Sequence, residues 1–138
     1  MKYITHNDQN INTNMTHYQG EVKASYELLT ILFGQPHCGD GYKVDAEWKI
    51  EWEDGVVATI YNYKDGVNYN GWRDGIPTEL ITEWHIGGHD IGRPASQSWI
   101  DWKRSGDDYH PQVERIEDLI KNQDIVTTIQ GHNHEQVD

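Results

Sequence analysis

The run YKVDAEWKIEWE, Tyr42 to Glu53, restricts the fold more than any other part of the chain. Tyr42, Val44, Ala46, Trp48, Ile50 and Trp52 fall at one parity, and Lys43, Asp45, Glu47, Lys49, Glu51 and Glu53 at the other. A period of two marks a half-buried β-strand, because successive side chains leave a pleated strand on opposite faces. Asp54-Gly55 follows and suits a two-residue hairpin turn. The return strand is VVATIYNY, Val56 to Tyr63. With that turn Glu53 opposes Val56, so Trp52 faces Val57, Ile50 faces Thr59 and Trp48 faces Tyr61. The aromatic side becomes the core face, and the other carries Asp45, Glu47, Lys49 and Glu51 beside Ala58, Ile60 and Asn62. A bulge or a longer turn would break this register.

Around the hairpin, the pattern predicts a short strand at Lys2–Thr5 and another over His17–Ser25, with Tyr18, Gly20, Val22 and Ala24 on one face. A helix follows, with Ser25 as N-cap, Glu27 in its first turn, an apolar stripe over Leu28–Phe33 and a stop at Gly34 before Pro36. Lys64–Pro77 reads as a long glycine-containing loop. Thr78–Ile86 reads as a third strand, with Leu80, Thr82, Trp84 and Ile86 on one face and Glu79, Ile81, Glu83 and His85 on the other, ended by Gly87-Gly88. A short helix is expected over Ser96–Lys103, a firmer one over Pro111–Asn122, and a last strand over Ile125–Gln130. The sum is an α+β chain: an antiparallel β-sheet of three to five strands with helices packed on one face. Residues 1–17 form a loose arm, 18–130 a single domain and 131–138 a polar tail.

Eleven Lys and Arg against 23 Asp and Glu leave a formal charge of −12. Such a chain repels nucleic acid, so no direct DNA binding is expected; it suits a basic protein surface instead. Acidity also serves plain solubility. Cys38 is the lone cysteine, which excludes an internal disulfide and fits a reducing cytosol. No apolar run is long enough to span a membrane, and MKYITHNDQN lacks the apolar core of a signal peptide. Six Trp and eight Tyr stand against one Phe. Trp and Tyr join apolar area to a polar tip, which suits either an interface or a Trp-built core.

Three site chemistries can be drawn from the residues. The acidic strand face, Asp45, Glu47, Glu51, Glu53 and Glu83, with Tyr69 and Trp72 in the long loop, makes a partner-binding surface. The second is a nucleotide pocket, with Trp72, Trp99 and Trp102 stacking on a base and Arg73, Arg93, Lys103 and Arg104 holding phosphate. The third is a divalent metal on His85, His89, His132 and His134, with Asp90 and the His37-Cys38 pair nearby in type. Gly87 and Gly88 oppose the helix that an HxxxH pair needs. Apart from that metal, no cofactor is expected. Glu83 and His85 share a strand face as an acid–base pair would, yet no nucleophile-elbow motif is present, and no catalytic residue is assigned.

The stretches ASYELLTILFGQP, GDGYKVDAEW, DGVVATIYNYKDGVNYNG and ITEWHIGG together resemble uncharacterised small acidic proteins encoded by tailed bacteriophages, over roughly residues 18–90. The resemblance implies a phage origin and the cytoplasm of the infected host cell; it supplies no activity and no functional residues. A helix ending in FG-x-P before a Trp-bearing hairpin is similar, at fold level alone, to small inhibitor and lipoprotein-assembly domains. Phage origin and acidity together lead to a non-enzymatic binding protein that inhibits a host factor, such as a CRISPR effector or another nucleic-acid-handling protein. The alternatives are a sponge for a nucleotide messenger and a small metal-dependent enzyme. A Trp-rich face too wide for one thin helix layer would favour a homodimer.

Overall fold

Five strands pair antiparallel in the order β1-β3-β4-β5-β2 in the computed structural model, which describes residues 2–7, 16–88 and 110–130, with side chains to residue 123 in the last segment. They are β1 (Tyr3–Thr5), β2 (His17–Lys23), β3 (Glu47–Trp52), β4 (Val57–Tyr61) and β5 (Glu83–Gly88). Helices α1 (Tyr26–Phe33) and α3 (Pro111–Gln130) pack on one face of this sheet. A shorter segment, α2 (Val67–Asp74), lies between β4 and β5 and is broken at Gly71, whose φ is 83°. The α+β architecture expected from the alternation is therefore present.

The core follows the strand parity. Trp48, Ile50 and Trp52 of β3 share one face with Ala58 and Ile60 of β4, Trp84 and Ile86 of β5 and Val22 of β2, and all are buried. Leu29, Leu32 and Phe33 of α1 and Ile116 and Ile120 of α3 close over them. Trp48 and Trp84 meet edge to face at 5.2 Å. A buried indole needs a partner for its N–H. Trp48 donates to the Gly34 carbonyl at 2.7 Å and Trp84 to the Ala24 carbonyl at 2.9 Å, so both tie the sheet to the ends of α1. The Ser25 hydroxyl caps α1 by accepting from the Leu28 amide at 3.0 Å, and Gly34 leaves it at a φ of 84°. β1 is bound in by Asn7, which donates to the Phe33 and Gln35 carbonyls and accepts from the Lys49 amide.

The hairpin register differs by one residue from the two-residue-turn expectation. Ile50 opposes Ala58, Trp48 opposes Ile60 and Glu47 opposes Tyr61. The turn holds three residues: the Gly55 amide donates to the Trp52 carbonyl, the Trp52 amide to the Val56 carbonyl, and Gly55 sits at a φ of 88°. A type I turn followed by a left-handed glycine is the usual form of a three-residue hairpin. The slip moves Ala58 and Ile60 to the core and brings Val57, Thr59 and Tyr61 beside Glu51, Lys49 and Glu47.

Other boundaries move for local reasons. β3 starts at Glu47 because Tyr42 and Val44 give their amides to the Asp40 carboxylate, while Asp45 and Ala46 give theirs to the Asn62 side chain. β5 starts at Glu83 because Pro77 opens a 3-10 turn over Thr78–Leu80; Leu80 is exposed and Ile81 is buried, the reverse of the expected faces. Gly87 and Gly88 do not lie beyond the strand but are its last two residues, paired with Tyr18 and His17 on one side and Thr59 and Ala58 on the other. A Cβ on Gly87 would lie 2.6 Å from Thr59 Oγ1, and one on Gly88 would lie 2.6 Å from Gln112 Nε2 of α3. In β2 a bulge between Tyr18 and Gly20 puts Tyr18 on the face opposite Val22. The supposed loop Lys64–Pro77 contains α2, and Ile125–Gln130, expected as a strand, are the last turns of α3. Their β-branched residues favour strand only weakly, and no Gly or Pro interrupts the helix after Pro111. The helix expected over Ser96–Lys103 lies outside the described residues.

Candidate functional site

The second face of the sheet carries a row that crosses four strands. Glu47 of β3 opposes Tyr61 of β4, Tyr61 opposes His85 of β5, and His85 opposes Glu21 of β2. Two rings thus lie side by side with a carboxylate at each end. Adjacent strands are about 4.8 Å apart, so the row spans about 14 Å. The Tyr61 and His85 ring centroids are 5.7 Å apart.

Tyr18 and Tyr63 build the row up into a cavity. The bulge in β2 turns Tyr18 over this face, 5.2 Å from the His85 ring, and its hydroxyl donates to Glu21 Oε2 at 2.9 Å. Bulges commonly re-aim a side chain in this way. Tyr63, two residues beyond Tyr61, stands 5.7 Å from His85 on the other side. Tyr18, Tyr61, Tyr63 and His85 line a cavity of about 410 Å³. A second, of about 240 Å³, shares the three tyrosines and reaches Glu47, Thr59 and Gly87. The absent side chain at Gly87 keeps that floor low.

The aromatic surface continues past the strands. Lys64, at a φ of 62°, places its ammonium 5.2 Å from the Tyr63 ring centre and 5.6 Å from that of Tyr69. Tyr69 in turn lies 5.2 Å from Tyr42. Tyr18, Tyr42, Tyr63 and Tyr69 are all exposed, and Trp72 on α2 is 90 % exposed.

This end of the sheet is held by Asn62, which is fully buried. Its amide oxygen accepts from the Asp45 and Ala46 amides at 2.7 and 3.1 Å, and its nitrogen donates to the Asp45 and Asp65 carboxylates, each at 2.9 Å. Asp45 also accepts from the Asn68 amide. Asp45 therefore anchors the α2 segment and does not belong to the acidic strand face on which the alternation placed it.

Burial raises the Glu47 carboxyl above the ordinary glutamate range, with Lys49 and His37 partly opposing it. Tyr61 is raised by burial and then by the charges of Glu47 and Tyr63, and Tyr18 by burial and its bond to Glu21. Both phenols stay neutral at physiological pH. Their ring faces keep the negative quadrupole that attracts cations.

The sequence-derived residues are distributed as follows. Glu47, Glu51 and Glu83 lie on the second face; Glu51 meets His6 Nε2 at 3.2 Å. Glu53 sits in the hairpin turn and accepts from the Lys2 amide at 3.0 Å. Tyr69, Trp72 and Arg73 belong to α2. Of the nucleotide set, Arg93, Trp99, Trp102, Lys103 and Arg104 lie outside the described residues, as do His89, Asp90, His132 and His134 of the metal set. Among the described residues, no group of three or more His, Cys, Asp or Glu could hold a metal. Among the described residues the carboxylate that pairs with His85 is Glu21, at 4.0 Å, and not Glu83. Cys38 is exposed beside His37, whose Nδ1 accepts from the Gly39 amide.

Tyr18, Tyr61, Tyr63 and Glu21 were not among the candidate site residues drawn from the sequence pattern. A three-residue reading of Glu53-Asp54-Gly55 would have put Tyr61 beside Glu47. The β2 bulge has no comparable signal. Comparison of the chain with protein-family models, curated proteins and solved structures gave no match. No helix among the described residues is long and apolar enough to cross a membrane.

Proposed function

We propose that the protein is a non-enzymatic binding protein whose second sheet face receives a basic protein surface. The observation that carries this reading is the aromatic cluster in which His85 meets Tyr18, Tyr61 and Tyr63 and Lys64 bridges Tyr63 to Tyr69, a track set among Glu21, Glu47 and Glu51 on a chain of charge −12. Exposed aromatic anchors with a charged rim are what a protein interface uses for affinity and for steering. Trp72, 90 % exposed, is a further anchor beside that track in sequence. The resemblance to phage proteins makes the partner a host factor in the infected cell. Its basic surface makes it a nucleic-acid-handling protein, and inhibition of a defence effector is the role this supports.

Capture from infected-host lysate, by the wild-type chain and by a Glu47→Lys, Glu51→Lys variant, tests the reading. The expected result is a basic host protein retained by the wild type, released as salt rises and lost from the variant. A complex indifferent to salt and to both reversals would contradict it. The nucleotide-sponge reading ranks second, because Glu21 and Glu47 flank the aromatic cavity and repel phosphate. It predicts thermal stabilisation by a cyclic nucleotide.

A further inference from the structure

We infer that the row Glu47–Tyr61–His85–Glu21, walled by Tyr18 and Tyr63, is a socket for one arginine side chain of the partner. The inference rests on the binding reading above and names the group that the face would recognise.

A guanidinium is flat and positively charged, with donors around its edge. It can lie on one ring while its edge reaches carboxylates in its own plane. The row offers that combination, with rings at the centre and a carboxylate at either end. A lysine ammonium would use the charge but not the plane. Tyr63 already takes a cation, since the Lys64 ammonium lies over its ring at 5.2 Å. The inner cavity, about 410 Å³, lies within the range of small-ligand sites. Two local sequence features shape it. The bulge at Tyr18/Gly20 supplies one wall, and Gly87, opposite Tyr18, lets the Thr59 hydroxyl pack against the backbone, where a Cβ would meet Thr59 Oγ1 at 2.6 Å.

The experiment follows the ring signals of Tyr18, Tyr61, Tyr63 and His85 by NMR in the full chain. The titrants are N-acetyl-arginine methylamide, its citrulline counterpart and adenosine monophosphate. Citrulline keeps the size and planarity of arginine and removes the charge. Saturable shifts with arginine and none with citrulline are expected. Tyr61→Leu should weaken arginine binding by about threefold to thirtyfold, the range for losing one ring from a cation–π site, while Tyr61→Phe keeps the ring and most of the affinity. Equal shifts from arginine and citrulline, no shifts, or a stronger response to adenosine monophosphate would each overturn the socket. None of these outcomes needs a variant that must fold. A partner complex unchanged by Tyr61→Leu with Tyr63→Leu but broken by Glu51→Lys would also overturn it and leave the binding face standing. A saturable arginine response from a chain that retains no basic partner would instead remove the binding reading alone.

Discussion

Glu47 is a charge kept where it costs stability. It projects from β3 beside Tyr61, and partial burial raises its carboxyl above the ordinary glutamate range. The folded chain therefore holds that proton more tightly than the unfolded chain does. Stability from this group is full at acidic pH and falls as pH rises from the ordinary glutamate value through the raised one. Glu47→Gln should then unfold at a higher temperature than the wild type at pH 7, with the gap closing as pH falls through the carboxylate range. Thermal melts at a series of pH values check this; a wild type that is the more stable at pH 7 would mean that Glu47 is held by a fold-stabilising partner. A side chain that costs stability and flanks an aromatic cavity fits a binding role better than a structural one. Asn62 is the opposite case. It is buried with both side-chain polar atoms engaged, and it makes the fold of this corner.

At the scale of elements, the hairpin turn decides which residues form the site. The alternation correctly identified the core face over Ala46–Trp52, though not over Tyr42, and Trp84 against Trp48 was legible too, because both depend only on parity. The pairing partner was not legible, because Asp54-Gly55 fits a two-residue turn as well as the end of a three-residue one. Asp54 is the arbiter: a type I′ turn needs a positive φ at both central residues, and Asp54 does not have one. Gly55 does, at 88°, and a Cβ there would meet nothing within 4 Å. Its requirement is thus purely one of backbone conformation. Gly55→Ala should cost about 1–2 kcal/mol in denaturant unfolding, and Gly55→Asn less, since Asn tolerates the left-handed region. An alanine variant as stable as the wild type would contradict the three-residue turn and with it the place of Tyr61 beside Glu47. The glycines of β5 have another reason, close packing against Thr59 and Gln112, which a linear pattern does not reveal. Read without that packing, Gly87-Gly88 looks like a stop placed after the strand.

For the whole molecule, the two faces of one sheet divide the work. One buries Trp48, Trp52 and Trp84 under α1 and α3; the other gathers tyrosines, His85 and carboxylates. Composition gave the acidity and the excess of Trp and Tyr, but not the separation of Trp48, Trp52 and Trp84 in the core from Tyr18, Tyr61 and Tyr63 on the other face. That separation depends on a turn and a bulge, each displacing one residue. The central proposal is that the tyrosine face is the contact surface. Hydroxyl-radical footprinting of the chain alone and bound to its captured partner tests it most directly, because exposed Tyr and Trp rings are the groups such radicals oxidise. Loss of oxidation at Tyr18, Tyr63, Tyr69 and Trp72 on binding is the predicted result. A stable complex in which those rings are oxidised as in the free chain would contradict it.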